Sequence, residues 1–445
     1  MIKTLLAAAV AASLTVICGC GQSARSAPTS AHAASAHAAR AGTAARLPGL
    51  SQDCLTMPHP CYTPRIFDTA YGIQPLLDRG IDGRGVTVAL PEAAATTAQP
   101  PQVTDIRQDL ADFDSRFGLP MARIQIITTL AGPSASPWLA GAEEVQDTEI
   151  VHAVAPDATL RELLVAPAAL STPAKAATTF ATYVRIAARD GQVISQGGFG
   201  LDYNLGENGF TSAEAATVNS ALEYAAARHA TFICGSGDQG AIGQGSTPPV
   251  REVTLPADDP LVLGVGGTSL TANPVTGAYI GETAWYAPPG AKGDYSVGSG
   301  GGFSHLFTRP AYQDGVPGIG AWRGVPDVAG DAASPTGMAY ARSAPGGAFQ
   351  LKPTGGTSAS GPLWAGLIAL ADQEAGHPLG FVNPAIYRID RGPLYHRAFH
   401  DITTGNNTAI SNGVTITGYQ AGPGWDPATG WGTPDAQILI PLLAR

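Results

Sequence analysis

The segment Gly355-Gly356-Thr357-Ser358-Ala359-Ser360-Gly361-Pro362, followed by the apolar run Leu363–Leu370, sets a serine where a glycine loop turns into a helix. Glycines allow the backbone to approach a substrate closely and to turn sharply. The unpaired N–H groups and positive dipole end of a helix start suit an oxyanion forming on an attacked carbonyl. A plain serine N-cap after a glycine loop reads the same way, so the companion groups have to decide. The richest acidic stretch is Glu143-Glu144-Val145-Gln146-Asp147-Thr148-Glu149. Glu143 and Asp147, four apart, share one face of a helix. Two carboxylates held so repel as anions, and one tends to keep a proton. Glu144 with Asp147, three apart, is the second pairing, and a bare acidic helix face is the third reading. Asp238 follows Ser236-Gly237 directly after the apolar run Thr231–Cys234, a place where aspartates are common as turn residues.

The elements that must position these groups follow from apolar patterning. Short apolar or β-branched runs occur at Val86–Leu90, Ile124–Thr128, Thr159–Val165, Val193–Ser195, Thr231–Cys234 and Leu261–Val265. Helical periods lie between them, near 103–117, 140–154, 174–189 and 212–228, and a later helix covers about Ser358 to Glu374. This alternation predicts an α/β fold, a doubly wound, mainly parallel sheet with helices on both faces. Strands that are almost continuously apolar predict that both faces are covered. The stretches 267–350 and 391–431, rich in Gly, Pro, Asn and Asp, predict long loops with short strands. No internal repeat and no linker after residue 60 interrupt this pattern.

Composition narrows the function classes. Of 445 residues, 44% are hydrophobic and 13% charged, with a formal net charge of −10. That balance supports a packed core rather than disorder. An acidic chain without a Lys/Arg block is a poor ligand for nucleic acid, whose binding rests on cations that release counterions. Lys3 followed by apolar residues from Leu5 to Ile17 is too short to span a bilayer and predicts a signal peptide over 1–20. Residues 21–53 lack large apolar side chains over most of their length and predict a disordered tether, with the folded body over 54–445. In an exported protein Cys54 and Cys61 are most simply a disulfide closing a small loop, worth about 2.5 kcal/mol. Cys234, in an apolar run, predicts a buried hydrophobe rather than a reactive thiol.

Gly356-Thr357-Ser358 with Pro362 resembles the serine motif shared by subtilisins and by sedolisins, the serine-carboxyl peptidases. A subtilisin-type triad needs an Asp closing the first strand and a His in a His-Gly pair. Here that strand ends Val88-Ala89-Leu90-Pro91-Glu92, and none of the nine histidines precedes a glycine. The Glu143–Glu149 segment is similar to the sedolisin catalytic helix, and Ser236-Gly237-Asp238 to its Ser-Gly-Asp. Further matches are Leu255-Pro256-Ala257, Val265-Gly266-Gly267-Thr268, Glu282-Thr283-Ala284-Trp285, Gly300-Gly301-Gly302-Phe303-Ser304 and Pro326-Asp327-Val328-Ala329. The resemblance implies a subtilisin-like fold and a peptidase whose substrates are peptides or proteins. It makes Ser358 the nucleophile, Glu143 its base, Asp147 the group that orients the base, and Asp238 the acid that donates to the oxyanion. Glu92 stands where some members carry an extra glutamate linked to the catalytic one; a simple loop-end carboxylate is its other reading.

The resemblance extends to a C-terminal calcium loop. Asp401-Ile402 and Gly422-Pro423-Gly424-Trp425-Asp426 match it, implying one structural Ca²⁺ held by the carboxylates of Asp401 and Asp426 and the carbonyls of Ile402, Gly422 and Gly424. Ile17-Cys18-Gly19-Cys20 resembles a bacterial lipobox, so the expectation is a secreted protein or a surface lipoprotein attached to the membrane through a lipidated Cys20, and a monomer. Three departures qualify the match. Family members carry a long prosegment, whereas the peptidase-like part begins about sixty residues into this chain, implying a form without it. Gly197 replaces a serine of the substrate strand, and Gln146 stands where a leucine usually precedes the helix aspartate. These departures motivate the rival expectation of a non-catalytic lipoprotein that keeps the fold and binds peptides or a partner. An esterase or amidase using Ser358 is a third, weakened by the lack of a Gly-x-Ser-x-Gly elbow.

Overall fold

The central strands of the sheet are almost continuously apolar and buried on both faces, while the edge strand at 123–130 is partly exposed. In the computed structural model, which describes residues 61–95, 103–190, 193–196, 206–243, 245–290, 295–343 and 349–445, eight strands form one sheet. They are β1 (Thr87–Ala93), β2 (Arg123–Leu130), β3 (Thr159–Val165), β4 (Val193–Gln196), β5 (Thr231–Gly235), β6 (Val262–Ala272), β7 (Tyr279–Ala284) and β8 (Val328–Asp331). Their order is β8-β6-β5-β4-β1-β3-β2, all parallel, with β7 added antiparallel to β6. This agrees with the doubly wound, mainly parallel sheet predicted from the sequence.

Five helices pack on the two faces: α1 (Ile106–Phe117), α2 (Ala142–Val154), α3 (Pro173–Asp190), α4 (Ser212–Ala226) and α5 (Thr357–Ala375). Val88, Leu90, Leu160, Val193 and Ile233 point to the face covered by α2 and α5, and share one core with Val151, Val154, Leu363 and Leu367. Ala89, Ile194, Phe232 and Cys234, the alternate positions, point to the face covered by α3 and α4 and pack on Phe180, Val184, Val218 and Leu222. A side-chain period of two makes this division unavoidable once the strands are buried on both sides. α4 is started by a capping box, with the Glu214 N–H donating to Thr211 Oγ1 and the Thr211 N–H donating to Glu214.

Close approach of α2 and α5 decides where the chemistry sits. Gly366 of α5 lies against Val154 of α2, where an added Cβ would come within 2.5 Å of Val154 Cγ1. Gly235, the last residue of β5, lies equally close to Thr357 at the start of α5, with 2.7 Å from its would-be Cβ to the Thr357 carbonyl. The carboxyl ends of β1, β3, β4 and β5 and the start of α5 therefore meet in one region. In open parallel sheets this is where ligands bind.

Several of the matched motifs prove to be core polar networks. Arg323 and Asp327, both fully buried, pair at 2.6 Å, and Asp327 also accepts from Gly264 N, Tyr387 Oη and Asn383 Nδ2. Glu282 accepts from Tyr71 Oη and Thr268 Oγ1, both at 2.7 Å. Cys234 is a free, buried thiol whose ionisation burial drives up strongly. The expected leader, the Cys20 lipobox, the tether, Cys54 and Gly197 all lie outside the described residues. Among the described residues no helix is long and apolar enough to cross a membrane.

Candidate active site

Ser358 is the second residue of α5 and half-buried. Gly356 precedes the helix with φ +82°, a conformation open to glycine at little strain. No side chain of its own caps the helix. Asp238, three residues beyond β5, does so from outside: its Oδ1 accepts from the Thr357 N–H at 2.8 Å and from Thr357 Oγ1 at 2.9 Å. Thr357 Oγ1 in turn accepts from the Gly237 N–H at 3.1 Å. The second oxygen of Asp238 faces the serine side. A Cβ on Gly356 would sit 2.6 Å from Asp238 Oδ2 and 3.4 Å from Ser358 Oγ. The carboxyl oxygen and the hydroxyl thus flank one small volume that only a glycine leaves open. Burial pushes the Asp238 carboxyl upward, against the lowering effect of the two Thr357 hydrogen bonds. A neutral acid at this position has a proton to donate from Oδ2.

The two serines of the motif separate cleanly. Ser360 is fully buried and its Oγ donates to the carbonyls of Gly330 and Asp331 at 3.0 and 3.2 Å. That hydroxyl stitches α5 to β8. Pro362 has no N–H to return to the Ser358 carbonyl one turn earlier, so the first turn of α5 lacks that bond.

The acidic helix is α2, as predicted over 140–154, and Gln146 ties it to the serine loop. The Gly355 N–H donates to Gln146 Oε1 at 2.9 Å, and Gln146 Nε2 donates to the Gly355 carbonyl at 3.3 Å. This two-way amide bond lies one residue before Asp147 and three residues before Ser358. It is the contact that sequence reasoning missed; Gln146 was visible only as a departure from an expected leucine. Asp147 is fully buried, whereas Glu143 is half-buried, one turn nearer the helix start. Glu144, the alternative partner, is buried and folds back on the helix start. Its Oε2 would lie 2.6 Å from a Cβ on Gly141. Burial raises Glu144 and its own backbone N–H and that of Gly141 restrain the rise.

Behind α2 lies a set of buried acids that carries few counter-charges. Glu92 on β1 and Glu162 on β3 share the sheet face of Leu90 and Leu160, turned to α2. Burial, then the neighbouring charges of Asp147 and Glu144, hold Glu92 well above the usual carboxylate range. Burial pushes Glu162 up to about 8, although Thr148 Oγ1 donates to it at 2.8 Å. Glu149 accepts from the Ala341 N–H at 2.6 Å and is likewise raised by burial. Glu162 had one sequence signal, a carboxylate beside Arg161 inside the largely apolar run Thr159–Val165. His152, on the same helix, bonds Asp114 at 2.8 Å and the Pro120 carbonyl, tying α2 to α1 rather than to the serine.

The residues expected to hold calcium also come together. The Gly424 N–H donates to both oxygens of Asp401 at 3.1 Å, and the Gly422 N–H donates to Asp426 Oδ2 at 3.1 Å. Asp426 further accepts from Ala428 N, Thr429 N and Thr429 Oγ1. Two carboxylates therefore straddle one Gly422–Gly424 turn, and burial pushes Asp426 up to about 6. Among the described residues no cluster of three or more acidic, His or Cys side chains forms a metal site. The donor set implied by the resemblance, two carboxylates plus backbone carbonyls, is all oxygen and suits a hard cation such as Ca²⁺ and no softer metal.

Comparison with known proteins follows the same lines. No family model matches the chain. It is 32% identical to kumamolisin of Bacillus sp. (strain MN-32) over 392 residues, covering 86% of this chain and 63% of that protein. It is 36% identical to sedolisin of Pseudomonas sp. (strain 101) over 223 residues, covering 48% of this chain and 35% of sedolisin. It is 33% identical to human tripeptidyl-peptidase 1 over 270 residues, 55% of this chain and 42% of that one. The chain spans less than two thirds of the length of each of these relatives. Among solved structures, that of Pseudomonas sedolisin, a serine-carboxyl proteinase complexed with two molecules of pseudo-iodotyrostatin, superimposes with a TM-score of 0.69 at 27% identity. It covers 86% of this chain and 98% of that one. The chain belongs to the sedolisin family of serine-carboxyl peptidases.

Proposed function

We propose that the protein is an exported serine-type peptidase that hydrolyses peptide bonds at acidic pH through Ser358, Glu143, Asp147 and Asp238. The observation that carries this reading is the pair of groups flanking Gly356, Asp238 Oδ2 and Ser358 Oγ. Ser358 Oγ attacks the scissile carbonyl carbon as its proton passes to the Glu143 carboxylate, which Asp147 orients. The carbonyl oxygen becomes an oxyanion that accepts from the Asp238 carboxylic acid and the Ser358 N–H. As the C–N bond breaks, Glu143 returns its proton to the leaving amine. Water then attacks the acyl-enzyme, losing a proton to Glu143, and Ser358 Oγ regains a proton as its ester bond breaks.

Acidic pH follows from the division of labour. Asp238 must keep its proton, which its raised ionisation favours, while the base must lose one. The residues flanking the Gly422–Gly424 turn would hold one Ca²⁺ through Asp401, Asp426 and the carbonyls of Ile402, Gly422 and Gly424. When bound, that ion would supply no chemistry and would rigidify a long loop. Export, as a secreted protein or as a surface lipoprotein lipidated at Cys20, a Cys54–Cys61 disulfide and a monomeric state complete the proposal.

The test is cleavage of a diverse peptide mixture from pH 3 to 8 by the purified protein and by Ser358→Ala. Acid-range cleavage lost in the variant is the expected result. Cleavage confined to alkaline pH sinks the carboxylate mechanism. No cleavage by folded, calcium-loaded protein at any pH leaves a peptide-binding protein with this fold.

A further inference from the structure

A second carboxylate near the sheet's carboxyl edge has no role in that chemistry. A cavity of about 290 Å³ opens between the segment 206–209 and the segment 245–252. Its lining includes Asn208, Ser246, Thr247 and Val250, and its one charged group is Glu252. Glu252 is 3% exposed. Its side chain passes between Gly206 and Gly243, where a Cβ on either glycine would collide with it. Its Oε2 accepts from the Asn208 N–H at 3.0 Å, and among the described residues its Oε1 has no hydrogen-bond partner. Among the described residues no cation pairs with Glu252. The neighbouring Arg251 is exposed and lies over the Tyr419 ring instead, 5.4 Å from its centre.

One wall follows the strand that leads to Asp238, and the other lies further along the chain from the neighbouring strand. The segment 206–209 follows β4, and the segment 245–252 follows β5 and Asp238, with the Glu252 N–H bonded to the Ala241 carbonyl three residues past Asp238. β4 and β5 are neighbours in register. A buried carboxylate with an idle oxygen is costly unless a cation or donor meets it. Neutral walls and a single carboxylate suit one monovalent, hydrogen-bonding cation, whereas Ca²⁺ needs six to eight oxygens.

We propose that this cavity is a specificity pocket and that Glu252 selects a lysine or arginine side chain of the bound peptide. This rests on the peptidase reading, and the experiment separates the two. Hexapeptides in which lysine, arginine, norleucine or glutamate is walked through every position are assayed for kcat/KM with wild type, Glu252→Gln and Thr247→Lys. Thr247 is exposed at the rim, so its variant sets a like charge there if the first variant does not fold. At one position the basic residues should exceed norleucine by about 10- to 100-fold, a ratio that falls toward one in either variant. Peptides cut without a basic preference, or a preference that survives both substitutions, overturn the proposal while leaving the peptidase reading intact. If wild type cuts nothing, the same peptides are bound to Ser358→Ala with and without Glu252→Gln. Tighter binding of the basic peptide that depends on Glu252 then upholds the pocket without the peptidase, and equal binding overturns it.

Discussion

Replacing Glu162 with glutamine should stabilise the protein at neutral pH and leave it almost unchanged at acidic pH. Glu162 is buried on β3 against α2 and ionises near 8 in the folded chain, against 4.5 for the free side chain. Below 4.5 the carboxyl is neutral in both states and folding bears no penalty. Between 4.5 and about 8 the unfolded chain ionises and the folded chain does not, so stability falls as pH rises through this window. Each pH unit crossed removes about 1.4 kcal/mol. For one isolated group the loss reaches about 3 kcal/mol at neutral pH and levels off beyond the folded value. Glutamine cannot ionise, and it keeps an oxygen to accept from Thr148 Oγ1, which donates to Glu162 at 2.8 Å. Urea unfolding followed by tryptophan fluorescence at pH 4.5, 6, 7 and 8 reads the effect directly. The difference between Glu162→Gln and wild type should grow with pH in favour of the variant. A difference that stays constant across the series, or one that turns against the variant at high pH, refutes the idea that Glu162 holds its proton in the folded state.

Two more outcomes follow from the same geometry. Gln146→Ala removes both hydrogen bonds between α2 and Gly355; it should lose about 1–3 kcal/mol of stability and lower kcat roughly tenfold with KM little changed. An unaltered kcat in a folded variant would mean the two-way bond holds the fold and not the serine. Chelation with EGTA, or Asp426→Asn, should lower the thermal midpoint, and added calcium should restore it for the chelated wild type only. A midpoint indifferent to both removes calcium from the Asp401–Asp426 loop.

How much of this is legible in the sequence differs from element to element. The strands and helices can be located because burial on both faces forces long apolar runs, and helices between them keep a period near 3.6. Thr211 with Glu214 and Pro173 mark two helix starts in plain view. Asp238 is harder. An aspartate after a strand is ordinary until the fold sets its Oδ1 on the Thr357 N–H, across 119 positions of chain. Gln146 is harder still, since an amide on an acidic helix says nothing about a bond to Gly355, 209 positions away. Glu162 and Glu252 show only as acids in awkward places. What gives them meaning is the void or neighbour that packing creates: α2 for Glu162, and the two glycines flanking Glu252. Such relations depend on which strands are adjacent, and β1 lies between β3 and β4 although β2 follows it in sequence.

The buried acids also bear on the proposed use of a carboxylate, rather than a histidine, as the base. Glu92, Glu144 and Glu162 are all held toward the protonated state by burial. A neutral carboxylic acid contributes dipoles and a donor but no net charge. If these acids were ionised, their fields would add to that of Asp147 and force a proton onto Glu143, abolishing the base. Kept neutral, they add no charge that opposes ionisation of Glu143, the proposed base. In the proposed mechanism Asp238 likewise stays protonated to face the oxyanion. In that mechanism one condition, low pH, sets the oxyanion donor and shields the base together. Raising the pH should damage both at once, and stability with them, because the unfolded chain gains the ionisations that the folded core refuses.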